Sequence, residues 1–139
     1  AQAGGAGLGS LCMYYLFSHN IDGISRGMVP PAFGCYPGGG FGAQKAFVAE
    51  VLGTMLLTFG AVHFANGWQI GAWLSGLIMV FAGISGASFN PAREVGPRVV
   101  CALLGFDMHK VVLASLPLYL VAQFAGGVIG VYVAVIFKK

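Results

Sequence analysis

The chain has 139 residues, of which 58% are hydrophobic and only 8% charged, with a net charge of +3 and a mean hydropathy of +0.84. Soluble domains carry about 25% charged residues, so this composition excludes a soluble globular fold. The basic residues are dispersed apart from the final pair Lys138-Lys139, which excludes nucleic acid as a partner. Cys12, Cys35 and Cys101 are widely spaced with no CxxC, so neither a disulfide framework nor a metal site is expected. With no nucleophile–base pair and no phosphate loop either, the chain is not read as an enzyme and no cofactor is expected. Glycine is abundant, at 23 residues, as in membrane helices that approach each other closely.

A bilayer core of about 30 Å needs about 20 apolar residues as helix. The first candidate span is Ala1–Phe17. It opens without Met or a basic leader, so a cut or processed end is expected. A turn-rich stretch, His19–Gln44, follows, broken by Pro30-Pro31 and Gly38-Gly39-Gly40. The second span is Ala46–Ala65, and a polar turn at Asn66-Gly67 leads into the third, Trp68–Ser85. Next comes Gly86–Arg98, in which Asn90 suits a helix N-cap and Pro91 the first helical position. The spacing predicts a short helix over 91–104, too short to cross a bilayer. It is either a half-helix dipping into the membrane, where its N-terminal N–H groups need protein or a watery path, or an interfacial helix that reverses the chain. The last span, Val111–Phe137, is long enough to tilt. The pairs Gly5/Gly9 and Gly126/Gly130 each predict a GxxxG packing face. Lys138-Lys139 favours a cytoplasmic C-terminus. His19, His63 and His109 fall near span ends and read as interfacial.

Asn90-Pro91-Ala92-Arg93 followed by Gly96-Pro97-Arg98 resembles the second signature loop of the major intrinsic protein family, the aquaporins and aquaglyceroporins. Ala49-Glu50-Val51-Leu52-Gly53-Thr54 resembles the start of that family's fourth helix, Ala1-Gln2 the start of its third, and Gly126-Gly127 a small-residue pair of its sixth. The resemblance implies an all-α polytopic bundle of four spans plus one re-entrant half-helix, which is half of an inverted-repeat fold. It implies that Asn90 donates its side-chain amide to a permeating oxygen and that Arg93 supplies donors at a narrow outer filter and repels cations. Read otherwise, Asn90 is a plain helix cap and Arg93 an interfacial side chain. By family spacing Ala87 and Ile78 also line that filter, and Ile78 offers no donor where water-selective members often place His. Glu50, an acid inside an apolar span and so a functional candidate in its own right, is implied to accept backbone N–H groups and brace the loop bearing Asn90. Glu94 and Arg98 resemble the aquaglyceroporin pattern, although Glu stands where Asp is usual. Only one Asn-Pro-Ala motif is present, so the expected partner is a missing N-terminal channel half, on the same or a separate chain, within a lipid bilayer. The resemblance further implies a homotetramer of the full protein. The function expected is a passive channel for glycerol, water or similar neutral solutes. The alternative is a non-conducting structural subunit of a larger membrane complex.

Overall fold

The computed structural model describes residues 1–22, 33–106 and 112–138, without the side chains of 20–22 and 112–114. Pro30-Pro31, His109, Val111 and Lys139 lie outside the described residues. Among the described residues five helices occur in order: α1 Gln2–Asp22, α2 Gly42–His63, α3 Gly67–Ser85, α4 Pro91–Leu103 and α5 Val112–Phe137. Three of them contain segments long and apolar enough to cross a membrane, Gly42–His63, Gly67–Ser85 and Ser115–Phe137. α1 has 21 residues but is less apolar and falls outside that group. The protein is an integral, multi-pass membrane protein with an all-helical fold.

Helix ends differ from the sequence reading for identifiable reasons. α1 passes through a non-helical residue at Phe17 and continues to Asp22, since no Gly or Pro intervenes before Gly23. α2 begins at Gly42, so the polar pair Gln44-Lys45 forms its first turn, with the Lys45 ammonium over the Phe41 ring. The turn between α2 and α3 closes with the Asn66 N–H donating to Gln69 Oε1 at 3.2 Å. His63 is exposed, bonded through Nδ1 to the Phe59 carbonyl and stacked on the Phe59 ring.

α2 is the hub, packing most extensively on α5 and next on α3, while α1 packs on α4. The α2–α5 contact runs through Gly126 and Gly130. A Cβ on Gly126 would lie 2.4 Å from the Val51 carbonyl oxygen, and one on Gly130 would lie 2.0 Å from Thr58 Oγ1. The two backbones therefore touch, which is the use of small residues where lipid supplies no hydrophobic drive. α1 and α4 cross similarly at Gly96, where a Cβ would meet the Ala3 carbonyl oxygen at 2.2 Å. The expected Gly5/Gly9 face makes no such contact among the described residues: none of them lies within 4 Å of a Cβ at either position. The α1–α4 crossing uses Ala3 and Gly7 instead, on another side of the helix. Trp73 joins α3 to α2 by donating its indole N–H to the Leu56 carbonyl at 2.8 Å.

Among the described residues, the buried apolar side chains form three small clusters. Phe33, Val100, Cys101 and Phe106 pack with Tyr14. Cys35, Ala46 and Tyr119 form the second, and Leu77, Ala87 and Phe89 the third. Large apolar side chains such as Met79, Leu103 and Val128 face outward, as a bilayer requires.

In the full-length protein, Gly130→Val should lower the melting temperature clearly, because over-packing a close contact costs about 1–3 kcal/mol and here the clash is with backbone. Gly71→Ala, with open space around it, should melt close to the parent. Thermal unfolding in detergent monitored by size exclusion reads both, and a parent-like Gly130→Val would refute the α2–α5 packing.

Candidate functional site: a loop and half-helix held by two buried acids

The segment between α3 and α4 is conformationally costly. Gly86 ends α3 in the left-handed region, and Ala87 (φ 51) and Phe89 (φ 54) adopt positive φ without being glycine. Each such residue costs on the order of 1–3 kcal/mol unless its surroundings fix it. The fixing group is Glu50, fully buried in α2. Its Oε1 accepts from Ser85 Oγ at 2.7 Å and from the Ser88 N–H at 3.0 Å. Its Oε2 accepts from the Phe89 N–H at 2.9 Å and from Gln123 Nε2 at 2.9 Å. All four neighbours donate, which suits a group that only accepts. Ser85 Oγ also accepts from the Ala87 N–H, and the Tyr119 hydroxyl donates to the Ser85 carbonyl at 2.7 Å. One carboxyl group thus joins α2, the end of α3, the loop and α5.

Asn90 follows this loop directly. Its Oδ1 accepts from the Ala92 N–H at 2.9 Å and Pro91 opens α4, so Asn90 caps the helix with one half of its amide. Its Nδ2 makes no hydrogen bond to the described residues. Asn90, Ala92, Arg93 and Pro97 line an open cleft of about 480 Å³ whose other wall is α1, at Gln2, Ala6, Gly9, Ser10 and Met13. Arg93 also lines a second cleft of about 270 Å³ with Cys35, Tyr36, Ala82 and Gly86. Arg93 therefore stands where the two clefts meet.

A second acid holds the other side. Glu94 and Arg98 are both buried and form an i,i+4 ion pair. Arg98 Nε donates to Glu94 Oε2 at 2.8 Å, and Arg98 Nη2 donates to the Cys35 carbonyl at 2.6 Å. The Cys35 N–H donates back to Glu94 Oε1 at 3.3 Å. The pair grips the 34–38 stretch through the backbone of Cys35. A Cβ on Gly34 would come within 2.9 Å of Arg98 Nε. The Cys35 thiol donates to the Gly86 carbonyl at 3.3 Å and accepts from Arg93 Nη1. Burial pushes this thiol up to about 11, with the Arg93 guanidinium pulling the other way, so it stays a neutral thiol near pH 7.

The sequence-derived residues divide accordingly. Asn90, Pro91, Ala92 and Arg93 form one edge, and the first, third and fourth of these line the cleft beside α1. Ile78 is 41% exposed and lies one turn before Ala82 on the same face of α3; Ala82, not Ile78, lines the cleft with Arg93. Ala87 is buried beside Leu77 and Phe89, next to Gly86 of the second cleft, and is not itself among the lining residues of either cleft. Glu94 and Arg98, read as subtype markers, are the ion pair that holds Cys35. Sequence reasoning missed Ser85, Tyr119, Gln123 and Cys35. Gln123 could have been found, as a polar side chain in an apolar span; nothing in the spacing of Cys35 pointed to its contact with Arg93.

Three long apolar helices, with α2 packed on α3 and α5, and a short Asn-capped helix packed on α1 and α5 define a polytopic helical membrane protein. The chain belongs to the major intrinsic protein family, whose model matches residues 1–133. It is similar to the probable aquaporin AqpM of Archaeoglobus fulgidus, 30% identical over 140 residues that cover 92% of this chain and 52% of that protein. It is also similar to aquaporin-1 of Rhizopus delemar, 29% identical across 99% of this chain and 52% of the relative. A shorter stretch, 42% of this chain and 28% of the relative, is 39% identical to glycerol uptake facilitator protein 3 of Lactiplantibacillus plantarum. The chain spans about half the length of the first two relatives.

Glu50→Gln should destabilise the full-length protein. One accepting oxygen becomes an amide NH2 group, itself a donor, facing donors, and a buried group left unpaired costs about 1–3 kcal/mol. Melting of Glu50→Gln and Glu50→Ala against the parent checks this, with Glu50→Ala expected to fall further; parent-like melting of both would remove Glu50 as the brace.

Proposed function

We propose that the complete protein is a passive channel for small neutral solutes, glycerol and water, and that this chain supplies one half of its pore. The observation that carries the reading is the placement of Asn90 and Arg93 on one open cleft, each with side-chain donors that the described residues leave unused. A solute entering an apolar passage gives up hydrogen bonds to water, at several kcal/mol for each polar group left unsatisfied. Asn90 replaces one such bond at the start of α4, and Arg93 replaces others one helical turn further on. Ions lose far more on dehydration. The Arg93 charge and the positive N-terminal end of α4 act against cations in addition, so protons and salts are excluded.

The surroundings of Arg93 support a three-carbon polyol alongside water. Ala82, Gly86 and Cys35 are small, and only Tyr36 adds a ring to that cleft. Relatives named both as aquaporins and as glycerol uptake facilitators are compatible with this reading. The missing half belongs to the same polypeptide or to a separate chain, and the whole assembles as a homotetramer in the bilayer; native mass measurement reports both.

Stopped-flow swelling of liposomes containing the full-length protein, with water and glycerol gradients run separately, tests the function. Both fluxes should exceed those of empty vesicles. Fast water flux with glycerol at the empty-vesicle rate would reverse the glycerol assignment. No flux of either would favour a structural subunit. We place Ile78 further along the same face of α3 as Ala82, so Ile78→His should slow glycerol more than water, and equal slowing would take Ile78 out of the path.

A further inference from the structure

Arg93 carries a full charge where the two clefts meet, yet neither nearby acid holds it. Glu94 is taken by Arg98 and the Cys35 N–H, and Glu50 by Ser85, Ser88, Phe89 and Gln123. Among the described residues the Arg93 guanidinium makes one hydrogen bond, from Nη1 to the Cys35 sulfur. A guanidinium is ordinarily held by carboxylate oxygens that match its planar fork. Sulfur is a weak acceptor. It fixes one edge of the guanidinium while leaving the positive charge unbalanced and the other donors open.

The sulfur is itself held in place. The Cys35 N–H and carbonyl are bound by Glu94 and Arg98, and the thiol proton goes to the Gly86 carbonyl at 3.3 Å. The lone pairs of the sulfur are then left for Arg93. Cys35 is 4% exposed and packs with Ala46 and Tyr119. A Cβ on Gly86 would come within 2.9 Å of the sulfur, so glycine at that position gives the sulfur its room. Cys35 and Arg93 line the same cleft of about 270 Å³, together with the small residues Ala82 and Gly86. The thiol is thus both the anchor of the guanidinium and part of the wall beside it.

We propose that Cys35 is a specificity-determining residue of the channel: its sulfur holds the Arg93 guanidinium against the wall of the second cleft and so keeps that cleft open to a three-carbon polyol. The proposal rests on the channel reading above. Arg93 reaches the cleft on a long stem with large rotamer freedom. Released from the sulfur, the guanidinium swings into a cleft lined by small residues and narrows it. Water, the smaller solute, is slowed less than glycerol. The thiol does not balance the charge of Arg93, so the anchored guanidinium still opposes cations. A carboxylate in its place would pair with the guanidinium and weaken that barrier. Cys35 acts through Arg93 and is in that sense a positioning residue.

The test is liposome swelling in separate water and glycerol gradients, on full-length variants first shown to fold by thermal unfolding. Cys35→Ala should lower the glycerol-to-water flux ratio by about fivefold, the effect of losing about one hydrogen bond. Cys35→Ser should restore most of the ratio, because a hydroxyl donates to Gly86 and accepts from Arg93 as the thiol does. In an Arg93→Val background, Cys35→Ala should leave the ratio where Arg93→Val alone puts it. A merely structural cysteine would move both fluxes together. An unchanged ratio in Cys35→Ala, a parallel fall of both fluxes, or a full effect in the absence of Arg93 would therefore each overturn the proposal. Cys35→Val covers the case in which Cys35→Ala fails to fold: it keeps apolar bulk but offers no acceptor, and the same fall in ratio is expected. An experimental map in lipid gives a second readout that uses no flux. The guanidinium should lie on the Cys35 sulfur in the parent and leave that position in Cys35→Ala. A guanidinium that stays in place overturns the proposal. A parent that passes neither solute refutes the channel reading and this proposal with it, whereas a conducting parent whose ratio ignores Cys35→Ala refutes the role of Cys35 alone.

Discussion

An acid placed inside an apolar helix must find donors or leave the membrane, because an unpaired polar group in a low-dielectric interior has nothing to replace water. Glu50 meets that constraint with the hydroxyl of Ser85, two backbone N–H groups of the loop and the amide of Gln123. Those two backbone donors belong to Ser88 and Phe89, the residues just before Asn90. A hydrogen bond contributes about 0.5–1.5 kcal/mol net, and the four on this carboxyl group together offset the cost of holding Ala87 and Phe89 at positive φ. The position of Asn90, the first residue of the site, is thereby tied to a side chain on a different helix.

The second acid works the same way from the opposite side. Glu94 does not reach the clefts; it is buried, paired with Arg98, and takes the Cys35 N–H. This brings the Cys35 thiol to the Arg93 guanidinium. A buried ion pair gains little over apolar packing by itself, because both charges must be desolvated. Here the pair also ties the 34–38 stretch to α4, so its effect is on the geometry around Arg93. Two acids and one arginine hold the structure, which leaves the Asn90 amide and most of the Arg93 guanidinium for the clefts.

Much of the fold was legible in the sequence because helix length in a bilayer is set by thickness. The turn at Asn66-Gly67 and the start of α4 at Asn90-Pro91 were legible because capping chemistry is local. The ends of α1 and α2 were not, since polar residues such as Gln44 and Lys45 remain helical at an interface. The two GxxxG pairs looked alike in sequence, yet only Gly126/Gly130 meets a helix of this chain; the pattern shows that close approach is possible, not which helix approaches. At the site, Glu50 stood out as an acid in an apolar run. Cys35 did not, because its role depends on a contact between residues 58 apart in the chain, and spacing alone carries no trace of that. Glu94 and Arg98 were visible as charges beside the motif, but their pairing with the Cys35 backbone required the folded loop.

The proposed solute path runs past Asn90 and Arg93, and the loop that carries Asn90 is pinned to Glu50. The most direct test is an experimental map of the full-length protein in lipid, with glycerol present, at a resolution that shows ordered water. The account predicts water or glycerol density within hydrogen-bonding distance of both the Asn90 amide and the Arg93 guanidinium, along one continuous file, with the Ser88 and Phe89 N–H groups still on Glu50. Asn90 packed against lipid or against another side chain, with no ordered solute beside Arg93, would contradict it.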